Sequence, residues 1–180
     1  MLPVGRGVKI DRLLACKVPH VGQFNQYLFS AFREDVFALN PSDQLISPDR
    51  KLYISRSDAR RRKILNEESL WQSLQHQGFE RVELEGMNWY NQLKLFKEAA
   101  LVVSNHGAGL TNIAFMAQGG RVIELKSKNN DYWCYFSLSR VIGLKYAYIL
   151  CDGNNIDHRS ADIVVDVDAV LHVIKQDLIN

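Results

Sequence analysis

From Lys51 onward the chain alternates short apolar, β-branched runs with segments patterned at helical spacing. Strands separated by helices of about a dozen residues form βαβ units, and such units build a parallel sheet. Leu52–Ser55, Val82–Leu84, Leu101–Ser104, Arg121–Leu125, Tyr146–Leu150 and Ile163–Val165 read as strands. Glu67–Gln77 reads as a helix: Leu70, Trp71 and Leu74 share a face, Asn66 suits the N-cap, Glu67 suits the first turn, and Gly78 stands at the C′ position. Trp89–Ala100 repeats the pattern with Leu93, Phe96 and Ala100, and Leu110–Met116, Tyr132–Val141 and Asp168–Leu178 read as further helices. The strands are short and apolar, as in a sheet covered by helices on both faces. The expected fold is therefore α/β, a Rossmann-like parallel sheet flanked by helices, over residues 51–180. Residues 1–50 differ. Gln23–Arg33 reads as an amphipathic helix carrying Phe24, Tyr27, Leu28, Ala31 and Phe32, and Asn40–Arg50, with Pro41 and Pro48, reads as loop. That segment is expected to be a connector, or the remnant of a preceding domain.

Charge and composition exclude several classes. The net charge of +2 gives no field for nucleic acid or an anionic membrane. The Arg56–Lys63 run has no interleaved stacking aromatics, which also argues against nucleic acid. No apolar run approaches the roughly 20 residues of a membrane span, and Met1–Lys17 does not read as a secretory signal. The expected location is the cytoplasm, at most peripheral to a membrane. Cys16, Cys134 and Cys151 are odd in number and far apart, which points to reduced thiols in or near a core. His20, His76, His158 and His172 have no metal-ligand spacing, and no metal site is expected. Asp152, Asp157 and His158 sit in a late loop.

Ligands of open α/β sheets bind beyond the carboxyl ends of the strands, and three features lie there. The first is Ser104-Asn-His-Gly-Ala-Gly-Leu-Thr-Asn112, between a strand and a helix. Gly107 and Gly109 let backbone approach a ligand closely, and the amides opening the next helix form an anion site suited to a pyrophosphate. His106 is placed to donate to a phosphate or a leaving oxygen, and Thr111 and Asn112 to cap the helix or touch ligand. The alternative is a tight turn with a structural histidine. The second is the basic run from Arg56 through Arg60, Arg61, Arg62 and Lys63, whose guanidinium forks match phosphate oxygens. Arg56, nearest the strand end, is the best placed, with one or two of the later arginines turned inward; the alternative is a solvated loop. The third is Glu124, read at a strand end where a carboxylate holds ribose hydroxyls, or else a salt bridge. The aromatic run Tyr132-Trp-Cys-Tyr-Phe136 could stack a base or sugar, with core packing the favoured reading.

Taken in order, Tyr-Ile-Ser-Arg56, Arg61 and Arg62 with Ile-Leu-Asn-Glu67, Gly78-Phe79, Phe96-x-x-Ala-x-Leu-Val-Val, His-Gly-Ala-Gly-Leu-Thr-Asn112 and Val-Ile-Glu-Leu125 resemble the family 61 glycosyltransferases, also known as the DUF563 group. The resemblance covers roughly residues 50–127. It implies the C-terminal, donor-binding half of a two-domain GT-B enzyme that builds capsular or cell-surface polysaccharide or modifies a protein. It further implies inverting transfer from a nucleotide sugar, a UDP-sugar first, to a glycan or protein acceptor without an essential metal or other cofactor. By the same resemblance the diphosphate would lie near Arg56, one of Arg60, Arg61 and Arg62, Asn105 and the Gly107, Ala108, Gly109 and Leu110 backbone, with Thr111 and Asn112 beside it. The ribose would lie near Glu124, and His106 beside the leaving group. The N-terminal partner domain is expected to be missing, or replaced by homodimerisation. Two other classes stand against this reading. One is a non-catalytic nucleotide-binding or interaction module derived from the same domain. The other is a nicotinamide-dependent oxidoreductase, which the missing Gly-x-Gly-x-x-Gly spacing disfavours: Asn112 follows Gly107 and Gly109.

Overall fold

The computed structural model describes residues 24–39, 47–57, 59–154 and 161–176. Its elements are α1 (Gln26–Ala38), β1 (Arg50–Ile54), α2 (Glu67–His76), β2 (Phe79–Val82), α3 (Trp89–Lys97), β3 (Ala99–Asn105), a 3-10 helix (Ala108–Phe115), β4 (Arg121–Ser127), α4 (Cys134–Ile142), β5 (Lys145–Gly153), β6 (Ile163–Val164) and α5 (Val167–Gln176). They form one six-stranded sheet in the order β2-β1-β3-β4-β5-β6, the Rossmann-like α/β arrangement expected from the alternation. The first five strands are parallel, whereas β6 runs antiparallel to β5. A purely parallel sheet is therefore corrected at this edge. The stretch 154–162 is shorter than the dozen or so residues that a parallel crossover needs.

Two apolar layers cover the sheet. On one face Leu52, Ile54, Val102 and Val122 pack with Phe96 of α3, Leu110 and Ile113 of the 3-10 helix, Leu138 of α4 and Val36 of α1. On the other, Tyr53, Val103, Ile123 and Leu125 pack with Leu70 and Leu74 of α2 and Val170 and Ile174 of α5. Each large side chain buried this way contributes about 1.5–3 kcal/mol of transfer free energy. The alternation of faces along β1, β3 and β4 is the period-2 geometry of a strand written into near-continuous apolar runs.

Several boundaries shift for local reasons. Gly78, at φ +78°, ends α2 and delivers the chain directly into β2. The second strand therefore spans Phe79–Val82 rather than Val82–Leu84, and Leu84 leaves the sheet. The α3 helix stops at Lys97, because Ala99 already begins β3 inside the core. Asn66 does not cap α2 with its side chain. Its amide instead pairs both ways with the backbone of Val165, at 2.8 and 2.9 Å. Glu67 accepts from the hydroxyls of Tyr53 (2.9 Å) and Ser55 (2.6 Å), a structural role that ties α2 to β1. The α1 helix reaches Ala38, five residues beyond the expected end at Arg33. It begins on the Asn25 cap, whose side chain accepts from the Leu28 amide, while Gln23 lies outside the described residues. The expected loop at Asn40–Arg50 is described only from residue 47, and Arg50 already belongs to β1. Arg33 of α1 donates to the carbonyls of Ala114 and Met116, where the 3-10 helix ends.

Cys151 is buried and Cys134 half-buried, both free, as expected of core thiols; Cys16 lies outside the described residues. Burial pushes the Cys151 thiol up to about 11. Among the described residues no helix is long and apolar enough to cross a membrane, and no cluster of three metal-ligating side chains occurs.

Candidate functional site

The strand order reverses direction at β1. The chain passes from β1 outward to β2, then returns across β1 to β3 and continues the other way. In open α/β sheets the helices on either side of such a reversal diverge, and a crevice opens beyond the carboxyl ends of the two strands. Here those ends carry Arg56, just after β1, and the Asn105–Gly109 loop, just after β3. A cavity of about 150 Å³ lies at this point, walled by Ser55, Arg56, Leu84, Asn105, Gly107 and Gly109, with Glu83 and Glu85 at its rim.

Arg56 lies against the backbone of Gly107. A Cβ placed on Gly107 would fall 2.5 Å from a terminal guanidinium nitrogen of Arg56 and 3.0 Å from its carbon. Gly107 itself is extended, so glycine is required here for space and not for dihedral freedom. Gly109 has a similar reason: its Cβ would meet Leu84 Cδ1 at 2.9 Å. The half-buried Arg56 has its pKa lowered by desolvation first and by the charge of Arg62 second. Its Nε is buried without an acceptor, as is that of Arg62. Arg62 adopts φ 60°, and its carbonyl accepts from the Asn105 side-chain amide. That left-handed turn faces Arg62 into a second, smaller cavity shared with Asn105 and His106. Arg60 and Arg61 are exposed. Of the later arginines, Arg62 alone is therefore turned inward, and Arg61 is corrected to the solvated face.

The glycine loop enters a 3-10 helix rather than an α-helix. The Leu110 amide closes on the Gly107 carbonyl at 2.9 Å, whereas the amides of Ala108 and Gly109 have no acceptor among the described residues. Leu110 sends its side chain into the core. Thr111 lies beside the Tyr135 phenol, which donates at 2.6 Å to the Gly107 carbonyl. Asn112 donates to Gln92 of α3 at 2.8 Å, so its amide braces the loop rather than facing the crevice. Ala108 is exposed.

His106 and Glu124, read separately from the sequence, are in contact: Nδ1 of His106 meets Oε1 of Glu124, whose other oxygen accepts from the Tyr146 hydroxyl. Glu124 is not at a strand end. It sits in the middle of β4, opposite Ser104, and is fully buried. Each of its oxygens already has a partner, and none of the side chain is exposed for a ribose to reach. Burial first, and the Glu124 charge second, push the Tyr146 phenol well above its ordinary range.

The aromatic run divides. Tyr135 is buried as expected, but Tyr132, Trp133 and Phe136 are partly exposed. Core packing is corrected for those three, because α4 starts at Cys134 and leaves only one face of the run inward. Trp133 rests on the fully buried Lys126, whose ammonium lies 3.6 Å from the ring centre. Asp152 is exposed and pairs with Lys128 at 2.6 Å, and His76 and His172 are remote surface groups. His20, Asp157 and His158 lie outside the described residues. Sequence reasoning missed Tyr146 and the role of Tyr135. The period-2 spacing of Tyr146 with Tyr148 was the one available signal, since it puts both on the face of β5 that Glu124 shares across the ladder.

The model of the family Glycosyltransferase 61 matches residues 1–123. The match takes in Arg56, Arg62 and the whole glycine loop. The EGF domain-specific O-linked N-acetylglucosamine transferase of Drosophila melanogaster is 32% identical over 133 residues, which are 69% of this chain and 25% of that protein. The chain spans about a quarter of the length of this relative. With the motif order, the reversal-point crevice and the family match in agreement, the chain belongs to the Glycosyltransferase 61 family.

Proposed function

We propose that this chain is the donor-binding part of a glycosyltransferase, and that the crevice between β1 and β3 holds the diphosphate of a nucleotide sugar. The observation that carries the reading is the pair of inward-facing guanidinium groups, Arg56 and Arg62, each with a buried Nε lacking an acceptor. Two like charges held close, with unspent donors, cost free energy that an anion between them would relieve. The amides of Ala108 and Gly109 add the positive end of a helix turn.

In the reaction the bond from the sugar C1 to the β-phosphate oxygen breaks. A bond from C1 to the acceptor hydroxyl oxygen forms from the opposite face, which inverts the anomeric centre. The diphosphate leaves with the electron pair, and Arg56, Arg62 and the loop amides stabilise its growing charge in place of a metal. The acceptor's proton passes to a general base, supplied from outside the residues described here. This arrangement fits the second half of a GT-B cleft. The Drosophila relative is named for transferring N-acetylglucosamine in an O-linkage, so UDP-N-acetylglucosamine and a protein hydroxyl are the donor and acceptor we propose first.

Calorimetric titration with UDP, GDP, CDP and NAD, each with magnesium and with EDTA, tests the reading. Saturable binding of UDP, equal under both conditions and lost in Arg56→Ala, is expected. Binding only with magnesium, or none to any nucleoside diphosphate, would refute it.

A further inference from the structure

Three neighbouring strands deliver one side chain each to a single buried point. His106 follows β3, Glu124 is central in β4, and Tyr146 lies in β5. Glu124 pairs in register with Tyr148, two residues past Tyr146 on the same face. A carboxylate with no solvent exposure is costly unless both oxygens are satisfied, and here each has a partner. The Tyr146 phenol, pushed far up by burial, keeps its proton and donates it. As a carboxylate Glu124 can only accept, so the group facing it from His106 has to be a donor. Nδ1 of His106 therefore carries hydrogen.

The other ring nitrogen, Nε2, has no partner among the described residues and is not among their buried, unpaired atoms. The ring packs against Tyr135 at 5.2 Å between centroids, and Tyr135 is bonded to Gly107. The imidazole is thus fixed against the same loop that supplies the crevice amides. Lys126 of β4 and Cys134 and Tyr135 of α4 are the other titratable groups in the field of Glu124. The charge of Arg62 also acts on Tyr135. An apolar residue of similar shape would fill the Glu124 site at lower cost. A carboxylate there has a use only through what it does to its neighbour.

We propose that Glu124, clamped by Tyr146, is the positioning residue for His106: it holds the proton on Nδ1 and leaves Nε2 as the ring nitrogen open to a ligand from the smaller cavity beside the crevice. The use of that nitrogen toward a diphosphate rests on the donor reading above; the tautomer does not. A neutral histidine in water prefers its proton on Nε2, so a ring locked the other way is a property the protein imposes. When the diphosphate binds, Nε2 takes a proton from solvent and donates it in a hydrogen bond to a phosphate oxygen, while Glu124 balances the imidazolium.

The test uses the chain labelled with nitrogen-15. Two-bond proton–nitrogen correlation at a pH where the ring is neutral reads the tautomer, with the His106 signals assigned by their loss in His106→Gln. The wild-type ring is expected to carry its proton on Nδ1. In Glu124→Gln the Tyr146 hydroxyl still donates to the amide oxygen, which turns the NH2 toward Nδ1, and the proton moves to Nε2. Tyr146→Phe, which leaves Glu124 facing His106, is expected to keep the wild-type tautomer and controls for simple loss of packing. UDP titrated in buffers of different ionisation enthalpy then counts linked protons. Wild type is expected to take up a measurable fraction of a proton more than Glu124→Gln, with affinities within about threefold of each other. A wild-type proton on Nε2, or a tautomer unchanged in Glu124→Gln, would overturn the proposal. Equal proton uptake in the two proteins would overturn it as well. Failure of UDP to bind either protein would overturn the donor reading, while the tautomer would still decide the positioning role.

Discussion

Replacing Gly107 with alanine should uncouple binding from stability. The residue is extended, so alanine is allowed by its backbone, and the three atoms nearest the new methyl all belong to the Arg56 guanidinium. The contact would be 2.5 Å to a terminal nitrogen, against the roughly 3.5 Å of ordinary van der Waals contact. The guanidinium must therefore retreat by about 1 Å, which stretches a 2.9 Å hydrogen bond beyond the range in which it counts as one. A charge-assisted bond is worth about 1.5–3 kcal/mol, so Gly107→Ala should weaken UDP binding roughly 10- to 150-fold. The cost in folding stability should stay under about 1 kcal/mol, since a mobile side chain absorbs the clash and the unfolded chain loses entropy. Arg56→Ala should weaken binding by a similar factor. In the double variant the Gly107 change should cost nothing further, because the group it displaces is gone. Calorimetric titration of the four proteins measures this directly. Additive losses, or wild-type affinity in Gly107→Ala beside a weakened Arg56→Ala, would refute the packing of Arg56 on Gly107 as the basis of the site.

Gly143 caps α4 at φ +80°, and a Cβ there would also press on Gln118 at 2.9 Å; Gly143→Ala should lower the thermal midpoint by an amount equivalent to about 1 kcal/mol or more, without affecting UDP binding. Arg50 bridges Glu80 at 2.6 Å and Glu98 at 2.7 Å. The hydrogen bond from Arg50 holds the Glu80 carboxyl below its usual range. The stability it adds is complete above the ordinary carboxylate pKa and is lost as pH falls through the lowered one. Both groups are part-exposed, so the effect is small. Urea melts at pH 7 and pH 3 should show a smaller acid loss in Arg50→Ala than in wild type, and an equal loss in both would remove the bridge from the acid response.

The layered sheet was legible because its cause is local. Apolar runs such as Leu101–Ser104 and Arg121–Leu125 can satisfy their backbone and bury their side chains in few ways. The glycine loop was legible too, since Gly107 and Gly109 announce close approach and Arg56 stands at the neighbouring strand end. The direction of β6 was not, because it depends on the length of a connection and not on the residues of the strand. The link of His106 to Glu124 was hidden for a different reason. It joins residues 18 apart in the chain whose contact is set by the register of β3 on β4, and Tyr146 joins them only through the register of β5. Local pattern gives which face a residue takes, whereas pairing register decides what it meets there. Arg62 shows the same limit on a smaller scale: its inward turn follows from one left-handed backbone angle inside a run of four consecutive cations, where composition cannot tell one from another.

The bonds from Arg33 to Ala114 and Met116 give the 3-10 helix a partner at its far end. Those carbonyls lie at a helix terminus and lack intrahelical donors of their own, and the Arg33 guanidinium, half-buried there, is desolvated in meeting them. Opening of α1 therefore exposes unpaired acceptors at the end of the very segment whose other end holds Gly107. The two are therefore expected to open together in local unfolding. An anion that stiffens the glycine loop raises the free energy of that opening, and amide hydrogens in α1, more than 60 residues away in sequence, exchange more slowly for it.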